Sequence, residues 1–196
     1  MKFDWRLVCL LLLASAWGMS ELLGGETIWL TTRALLLLAV ARTLIDRPGS
    51  SSAMGGIAVL FKSINTAPFL CHLAGIALLG IAFDVAATLF WRDDARRFLR
   101  AALAGASAAY LSSFLFAASM VWIVHFRSWD GGGPGLVAEH TLTSGSLGAV
   151  AGLVVVPAGL WVGRHLDRRA AGEPRLALGA AAAGCLVVWI AGALAG

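Results

Sequence analysis

Apolar stretches recur along this chain at about the length of a bilayer-crossing helix, roughly 17–25 residues each. The positive charges gather in every second gap between them. Twelve of the fifteen Lys and Arg residues fall in one set of gaps: Lys2, Arg6, Arg42, Arg47, Arg92, Arg96, Arg97, Arg100, Arg164, Arg168, Arg169 and Arg175. Three fall in the other set: Arg33, Lys62 and Arg127. Cytoplasmic loops of membrane proteins carry this excess of basic residues. The pattern predicts an all-α, polytopic transmembrane helical bundle of six to seven spans. It forms a single integral membrane domain over residues 1–196, with the N-terminus cytoplasmic and the C-terminus outside.

Composition agrees. Charged residues make up 13% of the chain, against about 25% in soluble domains. Polar surface is therefore too scarce to cover a water-soluble globule, and the lipid bilayer is the expected surrounding. The net charge of +4 sits beside apolar spans, where it meets anionic headgroups, so no nucleic-acid partner is expected. Cys9, Cys71 and Cys185 are far apart and form no CxxC, which argues against a disulfide framework or a metal site. Lys2 and Arg6 precede an apolar run containing Ala14-Ser15-Ala16, which has the form of a leader cleavage site. The run continues through Trp17-Gly18-Met19, so an uncleaved first helix is the reading taken.

Seven segments are predicted: 7–23, 28–45, 48–65, 68–91, 101–125, 143–162 and 176–195. The third is rich in Ser and Gly and would span only about 27 Å, so a re-entrant element is the alternative. Removing it as a span would invert every later gap and break the charge alternation, which favours a true span. Residues 126–142 are read as a flexible outer loop and 164–175 as a cytoplasmic one. Pro68 suits a first helical turn. Seven of the eight Trp residues lie near predicted boundaries, as an aromatic belt would; Trp189 is the exception. Small residues form a ladder at Ala101, Gly105, Ala109, Ser113 and Ala117, with Gly148 and Gly152 in the sixth span and Ala14 and Gly18 in the first. Such faces let helix backbones approach closely, either within the bundle or against another subunit.

Ionisable residues at membrane depth are costly and are functional candidates. An outer level holds Glu21, Glu26, Arg33, Lys62, Asn65, His72 and His125. Trp29 lies one turn before Arg33, in place for a cation–π contact. Glu21, Arg33, Lys62, Asn65, His72 and His125 are the expected lining of an outward pocket for a small polar or anionic molecule. The competing reading lets Arg33 and Lys62 snorkel to the headgroups. An inner level holds Arg42 and Asp84. Asp84 is expected in a structural ion pair, with Arg42 or with a basic residue of the 92–100 loop; a proton relay is the alternative. His72 and Asp84 share a helix face about 18 Å apart.

Catalytic motifs are essentially absent. Ser144-Gly145-Ser146 is not a convincing nucleophile site, and Gly131-Gly132-Gly133-Pro134-Gly135 lacks the strand and the Lys-Ser/Thr of a phosphate loop. His72 and His125 both lie near the outer boundary, so one haem ligand pair is conceivable as a minor reading, while His140 and His165 are placed in polar loops. No cofactor, no metal and no enzymatic activity are expected; an intramembrane enzyme with His72 or His125 as base is the minor alternative.

The stretch RALLLLAVARTLIDRPGSSSAMGGIAVLFKSIN followed by PFLCHLAGIALLGIAFDVAATL, Arg33 to Leu89, resembles the membrane-embedded substrate-binding (S) components of energy-coupling factor (ECF) transporters. The likeness lies in a basic-ended span, a short Ser/Gly-rich span, and a long span with a Gly and then an acidic residue near its inner end. It covers under a third of the chain. Those components usually have six helices, against seven segments here. The resemblance implies capture of a small-molecule substrate from outside, with a transmembrane coupling subunit and cytoplasmic ATPases as partners. It also implies a docking face of small residues on the first helix, where Ala14 and Gly18 lie. The expected function is therefore a substrate-binding or transport subunit of the cell membrane. The alternative is a non-catalytic structural or accessory subunit of a larger membrane complex.

Overall fold

A computed structural model describes residues 4–24, 26–65, 69–91, 95–125, 129 and 131–195, without the side chain of Asn65. Lys2, Pro68, Arg92 and Arg127 lie outside the described residues. Among the described residues seven helices follow one another: α1 Trp5–Leu22, α2 Thr27–Leu44, α3 Ser50–Asn65, α4 Leu70–Phe90, α5 Arg97–Ser119, α6 Gly133–Gly172 and α7 Pro174–Ala195. A single π-helical turn, Met120–Val124, extends α5. There are no strands among the described residues. Among the described residues six helices are long and apolar enough to cross a membrane, and the chain is a multi-pass membrane protein. The exception is α3.

Local chemistry sets several ends. The Asp4 carboxylate accepts from the Arg6 N–H at 3.1 Å, capping α1 and satisfying one of its orphan donors. His125 stops the π turn with φ +49°, a left-handed terminator of the kind usually supplied by Gly or Asn. Pro134 opens α6, where a missing N–H costs nothing. At the other end, Pro174 separates α6 from α7 after the single residue Glu173.

Two expected loops prove helical. Within 126–142, the residues from Gly133 onward belong to α6, and the 164–175 gap is helical through Gly172. At 1.5 Å per residue this helix is about 60 Å long, twice the hydrocarbon thickness. His140 and His165 accordingly lie on α6 and not in loops. An α-helix satisfies its own backbone wherever it runs, so it need not stop where apolarity stops.

The chain direction of α3 follows from its two ends. Near its start, Gly49 and Ser52 meet Asp84, late in α4. Near its finish, Lys62 meets His72, early in α4. The helix therefore runs antiparallel to α4 over nearly its whole length. Packing neighbours run α1, α3, α4, α5, α6, α2 and back to α1, closing a ring of six; α7 packs chiefly on α1, outside it. Trp17, Leu35, Leu38, Met54, Phe83 and Val156 fill the core.

Small residues set the spacing. A Cβ on Gly105 would stand 2.6 Å from the Gly152 carbonyl oxygen, and one on Gly80 would stand 3.0 Å from that of Ser51. Neither backbone pair tolerates a side chain between them. Ala101, Gly105, Ala109 and Ala117 of the ladder are all buried. Ala14 is fully buried, and a Cβ on Gly18 would reach 2.8 Å from Phe61. These faces are occupied within the bundle.

Candidate functional site

Lys62 lies on the last turn of α3, and it is 6% exposed. Its ammonium stands 3.5 Å from Glu21 Oε2 on α1. It is 3.4 Å from the Glu21 carbonyl oxygen and 3.5 Å from His72 Nδ1 on α4. All three contacts lie at the long limit of hydrogen bonding. The Glu21 side chain is 8% exposed, and its other oxygen accepts from the Trp17 indole at 3.2 Å. Three helices thus contribute one ammonium, one carboxylate and one imidazole to a single cluster.

Large side chains support it from below. Phe61 and Trp17 are fully buried. Trp189 of α7 meets Phe61 edge-on, with centroids 4.8 Å apart, and donates its indole N–H to Ser15 Oγ at 3.0 Å. Sequence reading missed Trp17, Phe61, Ser15 and Trp189 as supports. One signal was available: Trp189 is the tryptophan that no membrane boundary accounts for.

The expected lining separates. Glu21, Lys62 and His72 come together. Arg33 instead closes the α1–α2 turn, donating to the Gly24 carbonyl at 3.1 Å and to the Trp29 carbonyl at 3.2 Å. Its contact along that face is with the Trp29 backbone, where ring stacking was expected. The Gly24 carbonyl lies in the turn outside both helices, and such a carbonyl attracts a guanidinium more strongly than a ring that is itself exposed. His125 is exposed on the left-handed residue after the π turn; among the described residues no bond joins it to the cluster. The backbone of Asn65 ends α3. Lys62 does not snorkel outward; it turns into the bundle.

At the arginine-rich end a second network forms. Arg42, 3% exposed, lies 3.0 Å from Asp84 Oδ1 and 3.1 Å from Asp46 Oδ1. It also donates to the Arg47 carbonyl. Although close to Asp46, the Arg42 Nε is not aligned for a hydrogen bond. The second oxygen of Asp84 accepts from the Gly49 N–H at 2.6 Å and the Ser52 hydroxyl at 3.3 Å. This network ties the ends of α2, α3 and α4.

The same end carries a half-open cleft of about 430 Å³. Among its lining residues are Thr43 and Asp46 from the α2 end, Trp91, Arg97 and Phe98 around the start of α5, and Trp161, Arg164, Asp167 and Arg168 of α6. None of the residues expected to line an outward pocket belongs to it. No cluster of three or more His, Cys, Asp or Glu suited to a metal occurs among the described residues. Compared with protein families, with characterised proteins and with solved structures, the chain finds no match.

Proposed function

We propose that the chain is a membrane-embedded substrate-binding or transport subunit of the cell membrane, with its solute site built on Lys62, Glu21 and His72. The observation that carries this is the buried Lys62 ammonium of α3, at long hydrogen-bonding distance from the Glu21 carboxylate and carbonyl of α1 and from His72 of α4. Charge at membrane depth is expensive and marks binding or transport sites. About 18 Å separates His72 from Asp84 along α4, against a hydrocarbon core of about 30 Å. The two charged levels therefore fit inside the apolar layer. Long contacts leave the ammonium able to exchange a protein partner for a solute oxygen. The ligand class is a small polar or anionic solute, attracted by Lys62 and oriented by His72. The arginine-rich end faces the cytoplasm by the positive-inside rule, so the cluster lies toward the outer side.

An ECF S-component role, with a coupling subunit and cytoplasmic ATPases, remains the finer form of this proposal. The ring of six helices, with α7 as an addition, supports it. A docking face for that coupling subunit would lie elsewhere than on Ala14 and Gly18, since Ala14 is fully buried and Phe61 of α3 covers Gly18. The accessory-subunit reading loses its main argument, because the small-residue ladder of α5 is spent on α6.

Mass spectrometry of the protein released intact from lipid nanodiscs is expected to show a retained polar or anionic solute. Binding of none, either copurified or from a library of small polar nutrients, would sink the reading. Cysteines placed at positions 64 and 132 should label from outside in intact cells; protection of both would reverse the orientation.

A further inference from the structure

The Lys62 cluster carries both signs of charge, and the two signs sit close together. The Lys62 ammonium of α3 lies 3.5 Å from Glu21 Oε2 of α1, and the two side chains are 7% and 8% exposed. They are held differently. Glu21 Oε1 accepts from the Trp17 indole at 3.2 Å, and Trp17 is fully buried, so the carboxylate has a rigid support. The Lys62 ammonium ends a flexible stem and meets Glu21 and His72 at the long limit of hydrogen bonding. His72 is the exposed edge of the cluster, its ring tilted against Phe69 at a centroid distance of 5.9 Å.

This geometry constrains the solute. Adding net charge at membrane depth is expensive. A solute bearing only a carboxylate would pair with Lys62 and stand beside Glu21, a like charge. A solute bearing only an ammonium would pair with Glu21 and stand beside Lys62. Like charges at such range repel strongly where water is scarce. A zwitterion meets neither penalty. Its carboxylate faces Lys62, its ammonium faces Glu21, and the charge of the cluster is unchanged on binding. Because Lys62 and Glu21 are close neighbours, a swing of the lysine stem admits a compact dipole and not a long one. An α-amino acid has its two charges on one carbon, whereas an ω-amino acid separates them by its whole chain.

We infer, resting on the solute-site reading above, that the cluster binds a free α-amino acid as its zwitterion. Glu21 holds the ammonium, Lys62 holds the carboxylate, and His72 stands at the exposed edge. Lys62 swings from Glu21 to the incoming carboxylate, and the solute's ammonium takes its place at Glu21. Both buried charges keep an opposite charge beside them throughout.

Native mass spectrometry of the protein in nanodiscs tests this with a mixture of L-α-amino acids, the matching carboxylic acids that lack the amine, the matching amines that lack the carboxylate, and ε-aminocaproate. Wild type should retain at least one α-amino acid. Its two singly charged analogues and ε-aminocaproate should bind at least roughly 30-fold more weakly, the low end of what unpairing one buried charge does. Glu21→Gln keeps the shape and loses the charge, so it should shift the preference to the carboxylate analogue. Lys62→Met should shift it to the amine analogue. Loss of affinity for every probe alike in both folded variants would mark a merely structural pair and overturn the inference. Wild type that takes a singly charged analogue or ε-aminocaproate as tightly as the amino acid overturns the inference and leaves the solute site standing. Retention of no α-amino acid also overturns it. The wider library of small polar nutrients then separates the two claims: another solute retained keeps the solute site, and none removes it as well. Helical content by circular dichroism is checked before each variant is scored, and the wild-type comparison decides the inference without any variant.

Discussion

The two charged clusters of this bundle are built from similar residues and wired differently. At the arginine-rich end, Asp84 is bound to Arg42, to a backbone N–H and to a hydroxyl, with distances from 2.6 to 3.3 Å. At the opposite end, the Lys62 ammonium lies 3.4 to 3.5 Å from the Glu21 carboxylate, the Glu21 carbonyl and His72 Nδ1. The first involves the backbone of the α2–α3 turn, so it fixes where α3 begins. The second joins side chains and one carbonyl across α1, α3 and α4, where a partner can be exchanged. Short contacts with backbone partners are what a fold needs; long contacts among side chains are what a binding site permits.

The difference should appear first in stability. Asp84→Leu leaves the Arg42 guanidinium buried without its closest carboxylate and removes the acceptor of Gly49 and Ser52. A loss of about 3–5 kcal/mol is expected, measured by reversible unfolding in mixed micelles. Pairing it with Arg42→Met should restore stability only in part, because the two hydrogen bonds from the start of α3 are still lost, at roughly 0.5–1.5 kcal/mol each. Full recovery in that double variant would erase the distinction between the two ends.

Next in size is Lys62→Met, which leaves Glu21 buried with only the Trp17 indole. It should cost about 2–4 kcal/mol, somewhat below the Asp84 variant. Glu21→Met/Lys62→Met should return close to wild type, since apolar replacement of a buried pair is often neutral. A double variant as unstable as the single would make the outer cluster a structural device like the inner one. The smallest effect is expected from Trp189→Phe. It keeps an aromatic ring against Phe61 and loses the bond to Ser15, for about 1 kcal/mol.

Much of this organisation was legible from charge and hydropathy. The excess of Arg in alternate gaps gave an all-helical membrane bundle, and the same alternation argued for α3 as a traverse; its contacts at both ends run it antiparallel to α4. Helix limits were less legible. α6 runs on through Gly133–Gly172 because Ala, Leu, Glu and Arg sustain helix outside lipid as well as within it, and hydropathy registers only the middle. At the outer level, depth along the chain placed Glu21, Lys62 and His72 together but could not exclude Arg33. Which way a long side chain turns depends on local acceptors, and the Gly24 carbonyl that captures Arg33 exists only once the turn is folded. The arginine-rich cleft left no mark in the sequence. Its residues come from three separate segments and look individually like ordinary topology signals.

The central claim is that the Lys62 cluster binds a solute and is not there for the fold. Solute retention should therefore be compared between wild type and Glu21→Met/Lys62→Met, in the same nanodiscs, with unfolding measured on the same samples. The account predicts a double variant within about 1 kcal/mol of wild-type stability that retains no solute. A double variant of that stability that still holds the wild-type solute would contradict it.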